Sequence, residues 1–214
     1  MKLTFLHYRR IVGMCLLFMV LSTQAQLIDS QAVPGMFNPG VNQSNVKDTI
    51  CKTGWTGSVR PPTNYTDALK WLLISSEKLA RECIKTEFEH VDSTSEDARW
   101  TLAVQNCYEM MLTDGGYTPT PQEVEAFKRT ELDHKAALTC GGHPYHPDNL
   151  WLQHWNCTTQ KSHGLSTCIG DEPESANKKD AAERRCNAAV CSGNSSLIDA
   201  QNQLITDWHS FEKK

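Results

Sequence analysis

Eight cysteines behind an apolar leader constrain this chain more than any other feature. Nine are present, and Cys15 falls inside the leader, leaving Cys51, Cys83, Cys107, Cys140, Cys157, Cys168, Cys186 and Cys191. The leader has three parts: Lys2, Arg9 and Arg10, then an almost wholly apolar run from Ile11 to Leu21, then Ser22-Thr23-Gln24-Ala25 ending in a small residue. This is the pattern of a secretory signal peptide, so residues 1–25 are expected to be removed. The apolar run is too short for a permanent bilayer span. An even set of cysteines in an exported chain predicts four disulfides. The protein is therefore expected to be periplasmic or secreted, with no stable membrane association after cleavage. Cys140-Gly-Gly-His143 has a zinc-like spacing, but no CxxC pair accompanies it and export favours oxidation.

Loss of Lys2, Arg9 and Arg10 moves the formal charge from −4 to −7. Such an acidic chain is not an electrostatic glove for nucleic acid, which counts against a pure DNA-binding module. It counts less against a nuclease, because a bound divalent cation supplies positive charge at the scissile phosphate.

Residues 26–48 hold Pro34, Gly35, Pro39 and Gly40 with few apolar side chains and read as an extended arm outside the core. Residues 49–214 suit one domain. A helix is expected from about Thr66, with Leu69, Leu72, Leu73, Leu79, Cys83 and Phe88 near one face. A second begins near Thr94, where Thr94-x-x-Asp97 resembles a capping box, and carries Trp100, Ala103, Val104, Cys107 and Met111. A turn near 92–95 brings Cys83 and Cys107 level on facing stripes, so they are expected to pair. Gly115-Gly116 and the prolines at 119 and 121 end this hairpin. Residues 131–139 read as a strand, 140–148 as a turn-rich loop and 149–155 as the returning strand. Residues 156–172 read as irregular. Helices then run from Pro173 or Ser175 to Val190, and from Ser196 with a Ser196-x-x-Asp199 capping box.

The chemistry-bearing block is Asp133-His134, Gly141-Gly142, Asn149-Leu150 and a following helix. A hairpin packed on a helix can hold a divalent cation between them, and Asp133 offers a hard oxygen ligand. His134 is the expected general base toward water, since imidazole titrates near neutrality. Asn149 would tie the loop so that His134 is aimed correctly. Adjacent strand residues point to opposite faces, so Asp133 and His134 need a twist or bulge to share a site.

The ordered set ELDH…GG…PDNLW resembles the core of HNH endonucleases. The wider chain is similar to exported bacterial HNH-like proteins through PGMFNPGVNQSNVKDTIC, GWTGSVRPPTNYTDALK, KKDAAE, VCSG and AQNQLITDW, which cover roughly residues 34–70 and 131–208. The resemblance implies an α+β fold: a ββα-metal (HNH) core, disulfide-stapled, with residues 71–125 as an inserted helical hairpin and a C-terminal helix. It implies a divalent metal, Mg²⁺ first with Mn²⁺ or Zn²⁺ as alternatives, held by Asp133 and a helix residue. Asn177 is the closest match for the latter, with Asp180 one turn on and His154 or His163 as substitutes. Arg60 is a candidate phosphate contact. Cys51 and Cys191 lie in family-like segments and are expected to pair. The chain departs from the family after His134, where Lys135-Ala136-Ala137 replaces an apolar residue and a proline. The leading expectation is a metal-dependent endonuclease acting on DNA or RNA. The competing one is a non-catalytic binding or structural module on a degenerate HNH scaffold.

Overall fold

The computed structural model describes residues 36–53, 61–168 and 175–211. The leader, Arg60 and residues 169–174 lie outside them, as does the side chain of Asn177. The chain is a mixed helix and sheet protein whose only sheet, among the described residues, is a two-stranded antiparallel hairpin. In order come α1 (Ile50–Thr53), α2 (Thr63–His90), α3 (Glu96–Thr113), α4 (Pro121–Arg129), β1 (Thr130–His134), β2 (Leu150–His154), α5 (Cys157–Ser162), α6 (Ala176–Ser192) and α7 (Leu197–Asp207). No helix among the described residues is long and apolar enough to cross a membrane.

Two apolar clusters flank the hairpin. In the first, α2 and α3 pack as an antiparallel pair that buries Tyr65, Leu69, Leu72, Ile84, Trp100 and Val104, with Leu150 and Tyr145 joining from the hairpin. Phe88 stacks on Trp100 at 3.7 Å between centroids, and Cys83–Cys107 closes the pair as expected. The second cluster packs α6 on α7 through Ala182, Val190, Leu197, Leu204 and Trp208, with Val41, Val46 and Ile50 beneath them. Burying a side chain such as Leu204 or Val46 contributes about 1.5–3 kcal/mol.

Four disulfides staple these layers: Cys51–Cys191, Cys83–Cys107, Cys140–Cys186 and Cys157–Cys168. The pairing of Cys51 with Cys191 is the one implied by the resemblance. The other two pairs were left open by the sequence.

The local structure departs from the sequence reading in five places. The described part of the expected arm, residues 36–48, is a run of turns that buries Met36, Val41 and Val46. Three apolar residues spaced through a polar segment carry no periodic signal, yet tertiary packing uses them. The cap of α3 is Ser95, which accepts from the Ala98 amide, rather than Thr94. The prolines at 119 and 121 do not simply end a helix. Pro121 opens α4, and Thr120 and Glu123 form a capping box around it, because proline's missing N–H costs nothing in a first turn. β1 stops at His134 instead of running to residue 139, since the chain turns there to bond Asn149. Within 156–172, Asn156 caps the short helix α5 through the Thr159 amide. α6 and α7 lie close to the expected bounds, and Ser196 caps α7 as the capping box requires.

Candidate active site at the end of the hairpin

The loop between β1 and β2 is built around Asn149. Its side chain is wholly buried. Its Oδ1 accepts from the Ala136 amide at 2.7 Å, and its Nδ2 donates to the carbonyls of Ala136 (3.0 Å) and His143 (2.9 Å). One side chain thus ties both ends of the loop. Gly142 lies against the same segment, and a Cβ there would stand 1.8 Å from the Ala136 carbonyl oxygen. Gly141 holds φ of +84° in the left-handed region, where glycine carries no Cβ penalty. The glycine pair is therefore a packing and turn requirement of this loop.

His134 ends β1, and its Nε2 lies 3.2 Å from the Pro144 carbonyl in that loop. A carbonyl can only accept, so Nε2 carries the proton and Nδ1 is the basic nitrogen of the neutral ring. Because Asn149 fixes the loop, it also fixes the carbonyl that sets this tautomer.

Asp133 faces elsewhere. The register runs unbroken through Asp133↔Trp151 and His134↔Leu150, with no bulge, so the two side chains leave β1 on opposite faces. Asp133 meets α6, where its Oδ2 lies 3.0 Å from Lys179 Nζ. Lys179 is 1 % exposed. It donates to Asp133, to Glu183 one turn along α6 and to the His134 backbone carbonyl. An ammonium has three N–H donors, and all three are used. Burial alone would lower the Lys179 pKa, but Asp133 and Glu183 outweigh it and hold the group above the ordinary lysine value. Burial raises the Glu183 carboxyl, against the pull of Lys179 and with the charge of Asp133. Glu131, two positions before Asp133 on the same face, is pushed up to about 8 by burial, then by the charges of Asp133 and Asp180.

A second polar group lies along the loop. His143 and His146 are nearly buried. Nδ1 of His143 accepts from the amides of Tyr145 and His146, and Nδ1 of His146 accepts from the Asp148 amide. Asp148 pairs with Lys85 at 3.0 Å and Arg81 at 3.6 Å. Both histidine pKa values are lowered, chiefly by burial. These contacts fasten the loop to α2.

Of the two expected metal ligands, Asp133 meets Lys179, and the side chain of Asn177 lies outside the described atoms. Among the described residues, no group of three His, Cys, Asp or Glu side chains is placed to hold a metal ion. Helix α6 does reach Asp133, as the expectation required, but through Lys179. Asn177 lies in the first turn of α6, and its side chain is outside the described atoms. His154 pairs with Thr130 at the far end of the hairpin and on the face opposite Asp133. His163 is exposed and meets the Lys128 carbonyl at 2.9 Å. With Lys179 bonded to Asp133, the described donors do not fit a divalent ion held through that carboxylate. The sequence reading missed Lys179. Its signal was the Lys179-x-x-x-Glu183 spacing inside KKDAAE, which places the two side chains on one helix face.

Comparison with protein-family models, with curated proteins and with solved structures returns no match to this chain.

Proposed function

We propose that this chain is an exported endonuclease that hydrolyses phosphodiester bonds of DNA or RNA, with His134 as general base. One observation carries the reading: Nε2 of His134 lies 3.2 Å from the Pro144 carbonyl at the strand end, which orients the imidazole. The ring is held by a loop that Asn149 locks from inside. An oriented imidazole is suited to proton abstraction at neutral pH. The ELDH…GG…PDNLW order supports the same assignment by resemblance.

The ion pair between Asp133 and Lys179 favours a second reading, a non-catalytic binding or structural module on the same scaffold. Phosphodiester cleavage needs positive charge at the leaving oxygen, and the buried Lys179 faces carboxylates instead.

The experiment incubates the oxidised mature protein with plasmid and with RNA in Mg²⁺, Mn²⁺ or EDTA. The EDTA arm matters because the resemblance implies a divalent ion that the described donors do not fit. Cleavage by the wild type that falls about 10²–10⁴-fold in His134→Ala, with circular dichroism unchanged, supports the enzyme. No cleavage of either substrate under any condition selects the non-catalytic module.

A further inference from the structure

The ammonium of Lys179 stands between the hairpin carboxylate Asp133 and helix α6, the two elements from which the sequence resemblance implied metal ligands. We propose that Lys179 is the resident cation of this site, and that it closes the Asp133–Glu183 pair to divalent metal. The inference takes the hairpin and α6 as the site, as the nuclease reading does, but it does not require catalysis.

Three observations support it. Lys179 is fully enclosed, and its three donors meet three acceptors, so the group has no unmet bond that a ligand could satisfy. It bonds a carboxylate from each of two elements together with the backbone of His134, which ties α6 to the end of β1 as a bound ion would. Several acidic groups crowd this one buried ammonium: Glu131, Asp133, Asp180 and Glu183 interact electrostatically around it, with Lys70 near Glu131. Removing the ammonium would leave the Asp133 and Glu183 carboxylates, both of which contact it, without that shared counter-charge. Two like charges there must either protonate or recruit a cation, and carboxylate oxygens are hard donors suited to Mn²⁺ or Mg²⁺.

The test titrates Mn²⁺ into the oxidised full mature chain by calorimetry and by loss of the free-ion paramagnetic signal. The wild type should show no saturable binding that depends on Asp133. Lys179→Met should gain one-to-one binding, and Lys179→Met combined with Glu183→Gln should lose it again. Should Lys179→Met be unfolded in EDTA, the neutral polar variant Lys179→Gln is measured with it, and Mn²⁺ should restore the circular dichroism of one or both. One-to-one Mn²⁺ binding by the wild type that Asp133→Asn abolishes would overturn the proposal. A folded Lys179→Met that binds no Mn²⁺, or unfolded variants that Mn²⁺ does not restore, would overturn it equally. The nuclease reading is decided by cleavage and this one by ion binding, so either can fail alone.

Discussion

Replacing Asn149 with alanine isolates the contact on which the candidate site depends. The variant loses three hydrogen bonds at once, each to a backbone group inside the loop. Ala136 is 1 % exposed and His143 4 %, so water does not readily replace the amide. A buried group left unmatched costs about 1–3 kcal/mol. The Ala136 N–H has a single bond to give and counts near the upper end. The two carbonyls each keep a second lone pair and count near the lower end. The loss should be roughly 3–5 kcal/mol, a large share of the roughly 5–15 kcal/mol that holds a domain together. Asn149→Asp should do no better. It keeps an acceptor for Ala136 N–H but sets a carboxylate against two carbonyl oxygens. The assay is urea unfolding followed by circular dichroism, with all four disulfides oxidised. A loss below about 1 kcal/mol, within the range of ordinary surface substitutions and their scatter, would refute the claim that this side chain holds the loop.

Paired serine substitutions should rank the disulfides by the chain they close. Loss of Cys51–Cys191, separated by 140 residues, should cost about 5 kcal/mol by chain entropy, against about 3 kcal/mol for Cys157–Cys168, separated by 11; urea midpoints check the order. Glu131→Gln should raise the melting temperature at alkaline pH and leave it nearly unchanged below pH ~4. Its carboxyl stays protonated in the fold up to about 8 but ionises in the unfolded chain near pH ~4.3, so its contribution is full below the unfolded value and is lost as pH rises through the folded one. His146→Asn should flatten the acid decline in stability. The folded imidazole is held at about 4 by burial, with Asp148 opposing and His143 and Lys85 adding, so its neutral-form contribution is present above ~6.5 and lost as pH falls through the folded value. Asparagine can still accept from the Asp148 amide, and melts from pH ~7 to ~4 measure the slope.

Legible in the sequence from its own spacing were the helices with a strong apolar period, the hairpin and the Cys83–Cys107 disulfide. Each of those follows from spacing within a short window: 3.6-residue stripes for α2, α3 and α7, turn residues between apolar runs for the hairpin, and level cysteines on facing stripes for Cys83 and Cys107. Tertiary structure decided the rest. It drew Met36, Val41 and Val46 into the core from a segment with no period, because burial depends on what packs above a residue and not on its neighbours in sequence. It also decided what Asp133 meets. An Asp-His pair on a strand shows a carboxylate beside an imidazole, but the strand pleat sends them to opposite faces. Only the docking of α6 sets Lys179, forty-six residues further along, against that carboxylate. Whether a carboxylate faces an ammonium or a metal ion is fixed by the element packed across from it, and charge complementarity between distant segments leaves no local pattern to read.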